Sequence, residues 1–280
     1  MYWKAGIASC RGHHNKKLNR PCQDYGQIMT SNDGKVLIGV VADGAGSASH
    51  SHIGAQIAVR TFLAHLKKVS QVKLNPTETT ACFSAGLANV QSAIHAYASK
   101  TKRPLQDFAT TLLGVMATPF SLHAFQIGDG FIVGRQNSAK YSILFPPHKG
   151  VHINETCFIT EENALENMNT ICLPEPWDFV ALSTDGLESV ALHAPQIDLQ
   201  NSSSEDWTAS SGFFKPLEEH VRSNISPYQL EKDMSRFLRT PRLKSRSSDD
   251  RTLLIGGQIT QNNRSSPAKQ RQSVNHSSKV

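Results

Sequence analysis

Three apolar, strand-like runs of the sequence each meet an aspartate at a turn. Asp43 ends the run in LIGVVADGAG, Asp185 follows the run in DFVALSTDGL, and Asp249 lies shortly before RTLLIGG. Short apolar runs bounded by turns predict strands that are buried on both faces. Carboxylates delivered from strand ends onto one edge of a sheet are held by rigid backbone, and hard divalent cations prefer such oxygen ligands. The pattern therefore predicts a metal site.

The other periodicities predict an α+β chain. Apolar residues recur at spacings of three and four in residues 55–69 and again in residues 83–97, which predicts two amphipathic helices in an antiparallel pair. Residues 109–145 divide into four short segments separated by turns, and these predict an antiparallel meander. After an irregular stretch, the pattern predicts a strand over 177–183, a helix over 227–239 and a final strand over 252–256. Strands grouped apart from helices favour an α+β layered architecture.

Length and charge limit the class of protein. A chain of 280 residues with 39% hydrophobic residues can bury a large core, and we predict one domain over residues 1–258 followed by a disordered, basic and polar tail over 259–280. The net charge is +6, of which four charges belong to Lys and Arg in the tail. The basic excess therefore does not indicate a nucleic-acid-binding protein.

Cysteine usage and hydropathy indicate the cellular environment. The five cysteines are scattered without a CxxC pair, which argues against a structural zinc site and a disulfide framework and favours a reducing compartment. No stretch approaches roughly 18 apolar residues, and the N-terminal residues lack a continuous apolar segment. We therefore expect a cytoplasmic monomer that does not bind membranes.

Six short motifs follow one another along the chain. They are CQDYG at 22–26, VADGAGSA at 41–48, FATTLLGV at 108–115, QIGDGFIVG at 126–134, LSTDGL at 182–187 and DDRTLL at 249–254. Taken in this order, they resemble the metal-dependent protein serine/threonine phosphatases of the PP2C (PPM) family, and more closely its bacterial members. Each is weak alone because DG turns are common, but six in the family's order across residues 5–257 are specific. The resemblance implies a four-layer αββα sandwich, in which two antiparallel β-sheets are flanked by helices.

The resemblance also implies a binuclear Mg²⁺ or Mn²⁺ site at one end of the sandwich. Asp43 would bridge both ions, and the carbonyl of Gly44 would complete the second site, where a glycine lets the backbone approach the ion. Asp185 and Asp249 match the ligands of the first ion, and the adjacent Asp250 matches less well. Two cations lower the pKa of a bridging water and neutralise the phosphoryl group during in-line attack, so the implied reaction hydrolyses phosphoserine and phosphothreonine.

Two further aspartates match acidic residues of the family. Asp24 matches the carboxylate in the outer shell that orients metal-bound water, and Asp129 aligns with the carboxylate that helps hold a third ion in some members. Three positions depart from the family's pattern. Gln23 stands where members commonly have Glu, which would weaken a contact to the second ion. Many members carry a phosphate-binding Arg a few residues before the first Asp, and Arg20 lies one residue away from that position. Ala45 stands where several members carry a His.

The departures leave the phosphate-binding and proton-donating residues open. The substrate phosphate could be met by Arg20, His13, His14 or Arg11. Protonation of the leaving group would fall to water, His50 or His52. Histidine is suited to that step because its ordinary pKa lies near neutrality.

Two function classes follow from these motifs. The first is an active phosphatase that acts on a phosphorylated protein and opposes a partner Ser/Thr kinase. The second is a catalytically silent PP2C-like regulatory or binding module, which Gln23 and Ala45 favour. The retention of all three strand-end aspartates favours the enzyme, because acids gathered without a metal repel one another and destabilise the fold.

Overall fold

The computed structural model describes residues 1–70, 72–137, 139–145, 156–194 and 207–260. In this part of the chain, two five-stranded antiparallel sheets pack against each other. The first sheet contains, in spatial order, β1 (Tyr2–Cys10), β12 (Arg251–Ile259), β9 (Phe179–Ser183), β6 (Phe131–Arg135) and β7 (Ser142–Ile143). The second contains β2 (Tyr25–Thr30), β3 (Leu37–Ala42), β4 (Leu112–Ala117), β5 (Ser121–Ile127) and β8 (Asn169–Pro174). A short two-stranded ladder pairs β10 (Leu192–His193) with β11 (Thr208–Ala209).

Helices cover the outer faces of both sheets. They are α1 (His13–Lys17), α2 (Ser51–Val69), α3 (Pro76–Thr101), α4 (Glu188–Ala191), α5 (Ser211–Arg222), α6 (Pro227–Leu238) and α7 (Pro241–Lys244), with 3₁₀ turns at Leu105–Phe108 and Asp185–Leu187. None of the helices in the described residues is long and apolar enough to cross a membrane.

The two predicted long helices, α2 and α3, form the layer outside the second sheet. A capping box starts α3, because Asn75 Oδ1 accepts from the backbone N–H of Glu78 and the Glu78 carboxylate accepts from the N–H of Asn75. Phe62 of α2 stacks on Phe125 of β5 with ring centroids 4.1 Å apart, and Phe83 of α3 packs against the same ring. These helices therefore bury the outer face of the second sheet, as their apolar spacing predicts.

The opposite outer layer consists of α5 and α6. Side chains of Phe214 and Val221 from α5, and of Leu230 and Met234 from α6, join the core cluster over the first sheet. A third cluster, which includes Trp3, lies between the two sheets. The arrangement is the predicted four-layer αββα sandwich.

Residues 109–145 are not one meander, which corrects the prediction. β4 and β5 form a hairpin in the second sheet, but β6 lies in the first sheet and pairs with β7 and β9. The chain changes sheets at the turn containing Gly128, whose φ of 101° is readily adopted only by glycine. Alternating hydrophobicity marks both segments as strands, but it does not say which sheet each strand joins.

The domain boundary predicted at residue 258 lies next to the end of the last strand, since β12 runs to Ile259. Nearly all of the tail predicted over 259–280 lies outside the described residues, which end at residue 260.

Candidate metal centre

The three strand-end aspartates come from both sheets, which refines the expectation of one sheet edge. Asp43 follows β3 of the second sheet, whereas Asp185 lies just after β9 and Asp249 just before β12 of the first sheet. Because β9 and β12 are antiparallel neighbours, the end of one lies beside the start of the other. The carboxyls therefore meet at one end of the sandwich, in the region between the sheets.

The aspartates lie close enough to change one another's ionisation. Burial raises the pKa of Asp43 well above its ordinary value, and the negative charges of Asp24, Asp185 and Asp249 raise it further. Burial also raises the pKa of Asp185, to about 7, with contributions from the charges of Asp129 and Asp249. All five aspartates that the sequence marks as site residues are thus brought together.

Asp24 and Asp249 occupy different surroundings within this cluster. Asp24 is 5% exposed, and its pKa is raised to about 8, first by burial and then by the charge of Asp250. Asp249 is more exposed than Asp24. Partial burial raises the pKa of Asp249, the charge of Asp250 also raises it, and the charge of His14 lowers it. His14 therefore lies near the cluster.

The donor set fits a hard divalent cation. Within the described residues, Oδ1 of Asp24 and Oδ1 of Asp185 are buried and accept no hydrogen bond from a donor group, and both carboxyls instead interact with that of Asp43. Buried acceptors without partners are rare and cost free energy, and a cation would satisfy both while stabilising the ionised carboxylates. In the described residues, no three His, Cys, Asp or Glu side chains lie close enough together to hold a metal ion as they stand. The carboxyls would therefore have to draw together around a bound metal.

Hydroxyl groups hold the backbone of Asp43 in place. The N–H of Asp43 donates to Thr111 Oγ1 at 2.9 Å, and its carbonyl accepts from Thr110 Oγ1 and from the N–H of Thr111, both at 2.8 Å. From the sequence we expect both threonines to pack beside the site without acting as catalysts, and the structure places both beside Asp43. Their position in FATTLLGV, at the start of a strand beside the strand that ends at Asp43, is the signal that identifies them.

The turn after Asp43 is packed against helix α2. A Cβ at Gly44 would lie 2.7 Å from the Cβ of Ser51, the first residue of α2. Glycine is therefore required here by the close approach of the helix. Its carbonyl remains a proposed ligand.

Asp250 has a structural role that distinguishes it from Asp249. Its carboxylate accepts from the N–H of Gly12 at 2.6 Å, from the N–H of Gln23 at 2.6 Å and from Asn15 Nδ2 at 2.9 Å. These hydrogen bonds fix the segment that carries α1 beside the strand end at β12. With both oxygens engaged, Asp250 is the poorer metal ligand of the adjacent pair.

Gln23 belongs to the same buried network. Its Nε2 donates to Ser51 Oγ at 2.6 Å and to the carbonyl of Ala45 at 3.2 Å, and its Oε1 accepts from Asn15 at 3.0 Å. A glutamate here would lose the donor that faces the Ala45 carbonyl. The neighbours of residue 23 therefore suit Gln better than the Glu that is common in the family.

The predicted phosphate-binding residues lie on the segment that carries α1. Arg20 is exposed, and its Nη1 donates to the carbonyl of Gly46 at 2.9 Å, in the turn that follows Asp43. Arg11 Nη1 donates to the carbonyl of Arg20 at 2.9 Å. His13 is exposed on α1. Arg20 and His14 are the two basic side chains that these interactions place near the cluster.

The remaining carboxylate and the two candidate proton donors have partners of their own. Asp129 Oδ2 accepts from Thr156 Oγ1 at 2.6 Å. His50 Nδ1 lies 2.6 Å from Ser49 Oγ and 3.8 Å from an Asp107 carboxylate oxygen. The pKa of His52 is lowered by burial and by the neighbouring His50, so His52 is neutral at physiological pH.

A large cavity in the described residues lies away from this cluster. It has a volume of about 1300 Å³ and is lined by Tyr2, Met29 and Ile259 among others. Tyr2 is at one end of β1, whereas Cys10, at the other end, is two residues from Gly12. We therefore place the candidate site at the carboxyl cluster and not at this cavity.

Comparison with known sequences identifies the family. The sequence model described as protein phosphatase 2C matches residues 11–239. Serine/threonine-protein phosphatase 3 of Escherichia coli (strain K12) is 30% identical over 259 residues, which cover 91% of this chain and 98% of that protein. The chain belongs to the PP2C family of protein serine/threonine phosphatases.

Solved structures show the same fold. Serine/threonine phosphatase Stp1 from Staphylococcus aureus aligns with a TM-score of 0.61 at 11% identity, covering 92% of this chain and 96% of that chain. The catalytic domain of the phosphatase PstP, solved in complex with 2 manganese ions, aligns with a TM-score of 0.56 at 15% identity, covering 92% and 99%. Family membership and fold therefore agree.

Proposed function

We propose that this chain hydrolyses phosphoserine and phosphothreonine in proteins by attack of a water activated between two Mg²⁺ or Mn²⁺ ions. The observation that carries the proposal is the gathering of five aspartates from both sheets at one end of the sandwich, where two buried carboxyl oxygens accept no hydrogen bond from a donor group of the described residues. The manganese-containing PstP structure and the name of the E. coli relative support it.

The proposed ligands are residues of the strand ends. Asp43 would contact both ions, with the Gly44 carbonyl at the second ion and Asp185 and Asp249 at the first. Asp129, held by Thr156, is the proposed ligand of a third ion. When bound, the ions would lower the pKa of an attacking water and neutralise the charge of the phosphoryl group.

The chain's own side chains complete the reaction. Oδ2 of Asp24 is held by Thr184 Oγ1 at 2.8 Å, which leaves Oδ1 as the acceptor available for a proton of the attacking water. Arg20, tied to the Gly46 carbonyl, and His14 supply positive charge for the substrate phosphate. The leaving-group oxygen would take its proton from water or His50, because the lowered pKa of His52 makes it the poorer proton donor.

The partner kinase, the oligomeric state and the cellular location are further parts of the proposal. A phosphatase of this family acts on phosphorylated proteins, and we propose a partner Ser/Thr kinase whose products this chain dephosphorylates. We also keep the predictions of a monomeric, cytoplasmic protein without nucleic-acid or membrane partners.

The direct test is hydrolysis of p-nitrophenyl phosphate and of a phosphothreonine peptide with Mn²⁺, with Mg²⁺ and with EDTA. We expect turnover of both substrates with either ion, and its loss in EDTA. Asp185→Asn should lose at least about 100-fold in kcat, because it removes a proposed direct ligand. If the folded wild-type protein binds Mn²⁺ but turns over neither substrate, the silent regulatory module is the correct alternative.

A further inference from the structure

Two segments of the chain that flank the carboxyl cluster carry basic residues and no acidic ones. Residues 5–23 and residues 234–248 each contain neither Asp nor Glu. We call their basic side chains, apart from Arg236, which pairs with Asp233, the basic rim. The basic rim consists of Arg11, His13, His14, Lys16, Lys17, Arg20, Arg239, Arg242, Lys244 and Arg246. Arg11 is partly buried and the others are exposed.

Backbone contacts join the two segments beside the proposed metal ligands. The N–H of His14 donates to the carbonyl of Ser248 at 3.0 Å, and Ser248 directly precedes Asp249. Gly12 packs so closely that a Cβ there would collide with the backbone of Ser248 and Asp249. Arg20 reaches the turn after Asp43 through Gly46. The basic rim therefore borders the cluster along both the Asp43 turn and the Asp249 strand end.

The charges of the basic rim are not neutralised within the fold. In the described part of the chain, none of its ten side chains forms a salt bridge, whereas Arg135 and Arg222 both pair with Glu218. Residues 1–257 carry a net charge of +2, and the eight Lys and Arg of the rim account for +8, which leaves −6 for the remainder. That −6 equals the formal charge of the six aspartates at the site, Asp24, Asp43, Asp129, Asp185, Asp249 and Asp250, so the rest of the body is neutral. The excess positive charge of the body therefore lies in the basic rim, beside the candidate site. Such a field attracts anionic ligands and orients them before contact.

We propose that the basic rim binds an acidic segment of the phosphoprotein substrate, so that the enzyme prefers phosphoserine and phosphothreonine flanked by Asp or Glu. This inference rests on the proposed function, which places the reacting phosphate at the adjacent carboxyl cluster. An extended acidic peptide would place its phosphate over the cluster and its carboxylates against exposed Lys and Arg. The basic segments 11–20 and 239–248 contain no Phe, Tyr or Trp, the large aromatic side chains on which nucleic-acid bases stack, so they fit an acidic peptide better than a single-stranded nucleic acid.

The adjacent lysines of α1 allow a matched experiment. Lys16 and Lys17 are exposed in its last turn, and Lys67 and Lys68 are exposed in the last turn of α2. The first turn of α2 touches the site through Ser51, and a rise of 1.5 Å per residue places Lys67 roughly 24 Å further along the helix. Lys67→Glu with Lys68→Glu therefore makes the same charge change as Lys16→Glu with Lys17→Glu, but far from the site.

The measurement is kcat/KM for two phosphothreonine peptides that differ only in having acidic or neutral residues around the phosphothreonine. We expect the wild-type protein to prefer the acidic peptide by about tenfold or more at low salt, and the preference to shrink as salt screens the exposed charges. Lys16→Glu with Lys17→Glu should reduce the acidic-to-neutral ratio about tenfold, since several exposed charge pairs change sign. Lys67→Glu with Lys68→Glu should leave the ratio at its wild-type value.

Each outcome has one meaning. Turnover of the neutral peptide reports that a variant is folded and active, and Arg242→Glu with Lys244→Glu provides a second rim variant should the first not fold. A wild-type ratio near one, or equal losses in the rim and α2 variants, would overturn the proposal. A third result would also overturn it. If the rim variant loses binding to a DNA oligonucleotide while its acidic-to-neutral peptide ratio is unchanged, the surface binds nucleic acid. Failure of the wild type to hydrolyse either peptide would instead contradict the proposed function.

Discussion

Thr184 Oγ1 donates a hydrogen bond to Asp24 Oδ2 at 2.8 Å and accepts one from the N–H of Thr252 at 3.1 Å. One fully buried hydroxyl thus connects the end of β9, the start of β12 and the loop before β2. This contact helps to orient Asp24, whose carboxyl also interacts with the side chains of Thr252 and Asp43. Thr184 therefore positions a carboxylate that the proposed mechanism uses.

Thr184→Val keeps the shape of the side chain and removes the hydroxyl. We expect a free energy of unfolding lower by about 2–4 kcal/mol, because Asp24 and the N–H of Thr252 both lose a buried partner. Phosphatase activity should fall about 10–100-fold, as is typical when a group that orients a metal-site residue is lost. Urea unfolding and phosphate release measure the two effects. Thr80→Val, at an exposed position, should change stability by less than about 0.5 kcal/mol, and an equal effect of both variants would refute this role of Thr184.

The adjacent residues Asp249 and Asp250 should respond differently to the same substitution. Asp250→Asn should lower the free energy of unfolding by about 2–4 kcal/mol, because three donors converge on this carboxylate. Asp249→Asn should leave metal-free stability unchanged or raise it, since it removes a negative charge from a repelling group, while abolishing metal-dependent turnover. Urea unfolding in EDTA and phosphate release with Mn²⁺ separate the two roles. The reverse pattern would mean that Asp250 is the ligand.

Gly12 and Gly46 offer a second matched pair. Gly12→Ala should destabilise the protein and reduce activity together, because a Cβ would push the α1 segment away from the backbone of Ser248 and Asp249. Gly46→Ala should be tolerated, since no atom lies within 4 Å of a Cβ there. Thermal unfolding and phosphate release provide the comparison. Equal tolerance at both positions would show that the packing of α1 against the Asp249 strand end is not needed.

The metal-free protein should lose stability as the pH rises. The pKa values of Asp24 and Asp185 are raised to about 8 and about 7, chiefly by burial, whereas an unfolded Asp titrates near 3.9. The folded state therefore binds more protons than the unfolded state between about pH 4 and pH 8, so the free energy of unfolding falls across this range. In EDTA, Tm should be lower at pH 8 than at pH 5, and added Mn²⁺ should raise Tm most at pH 8. A higher Tm at pH 8 in EDTA would contradict the packing of these carboxyls.

The parts of the fold that the sequence predicts best are those with a strong local period. The helices α2 and α3 and the strands ending at Asp43 and Asp185 follow from their own residues. The sheet that β6 joins does not follow from its residues, because the alternation of side chains along a strand is the same in either sheet. Helix α5 was missed because Pro216 and Gly212 interrupt it, although Phe214, Leu217 and Val221 share a face.

The candidate site shows the same division. Carboxylates at strand ends and DG turns can be identified in the sequence because each motif is local. The roles of Thr184 and Asn15 depend on partners that lie 160 and 235 residues away in the chain, so no local pattern marks them. The carboxylates proposed as metal ligands can be named from the sequence, whereas most of the groups that hold them become visible only in the assembled fold.

Phosphate release from a phosphothreonine peptide is the most direct test of a metal-dependent reaction at the carboxyl cluster. It is measured on one sample before EDTA, after EDTA and after Mn²⁺ is restored. We predict turnover, its loss and its return, with no return in Asp43→Asn, because that residue would contact both ions. Turnover that persists in EDTA, or that Asp43→Asn retains, would contradict a metal-dependent reaction at the carboxyl cluster.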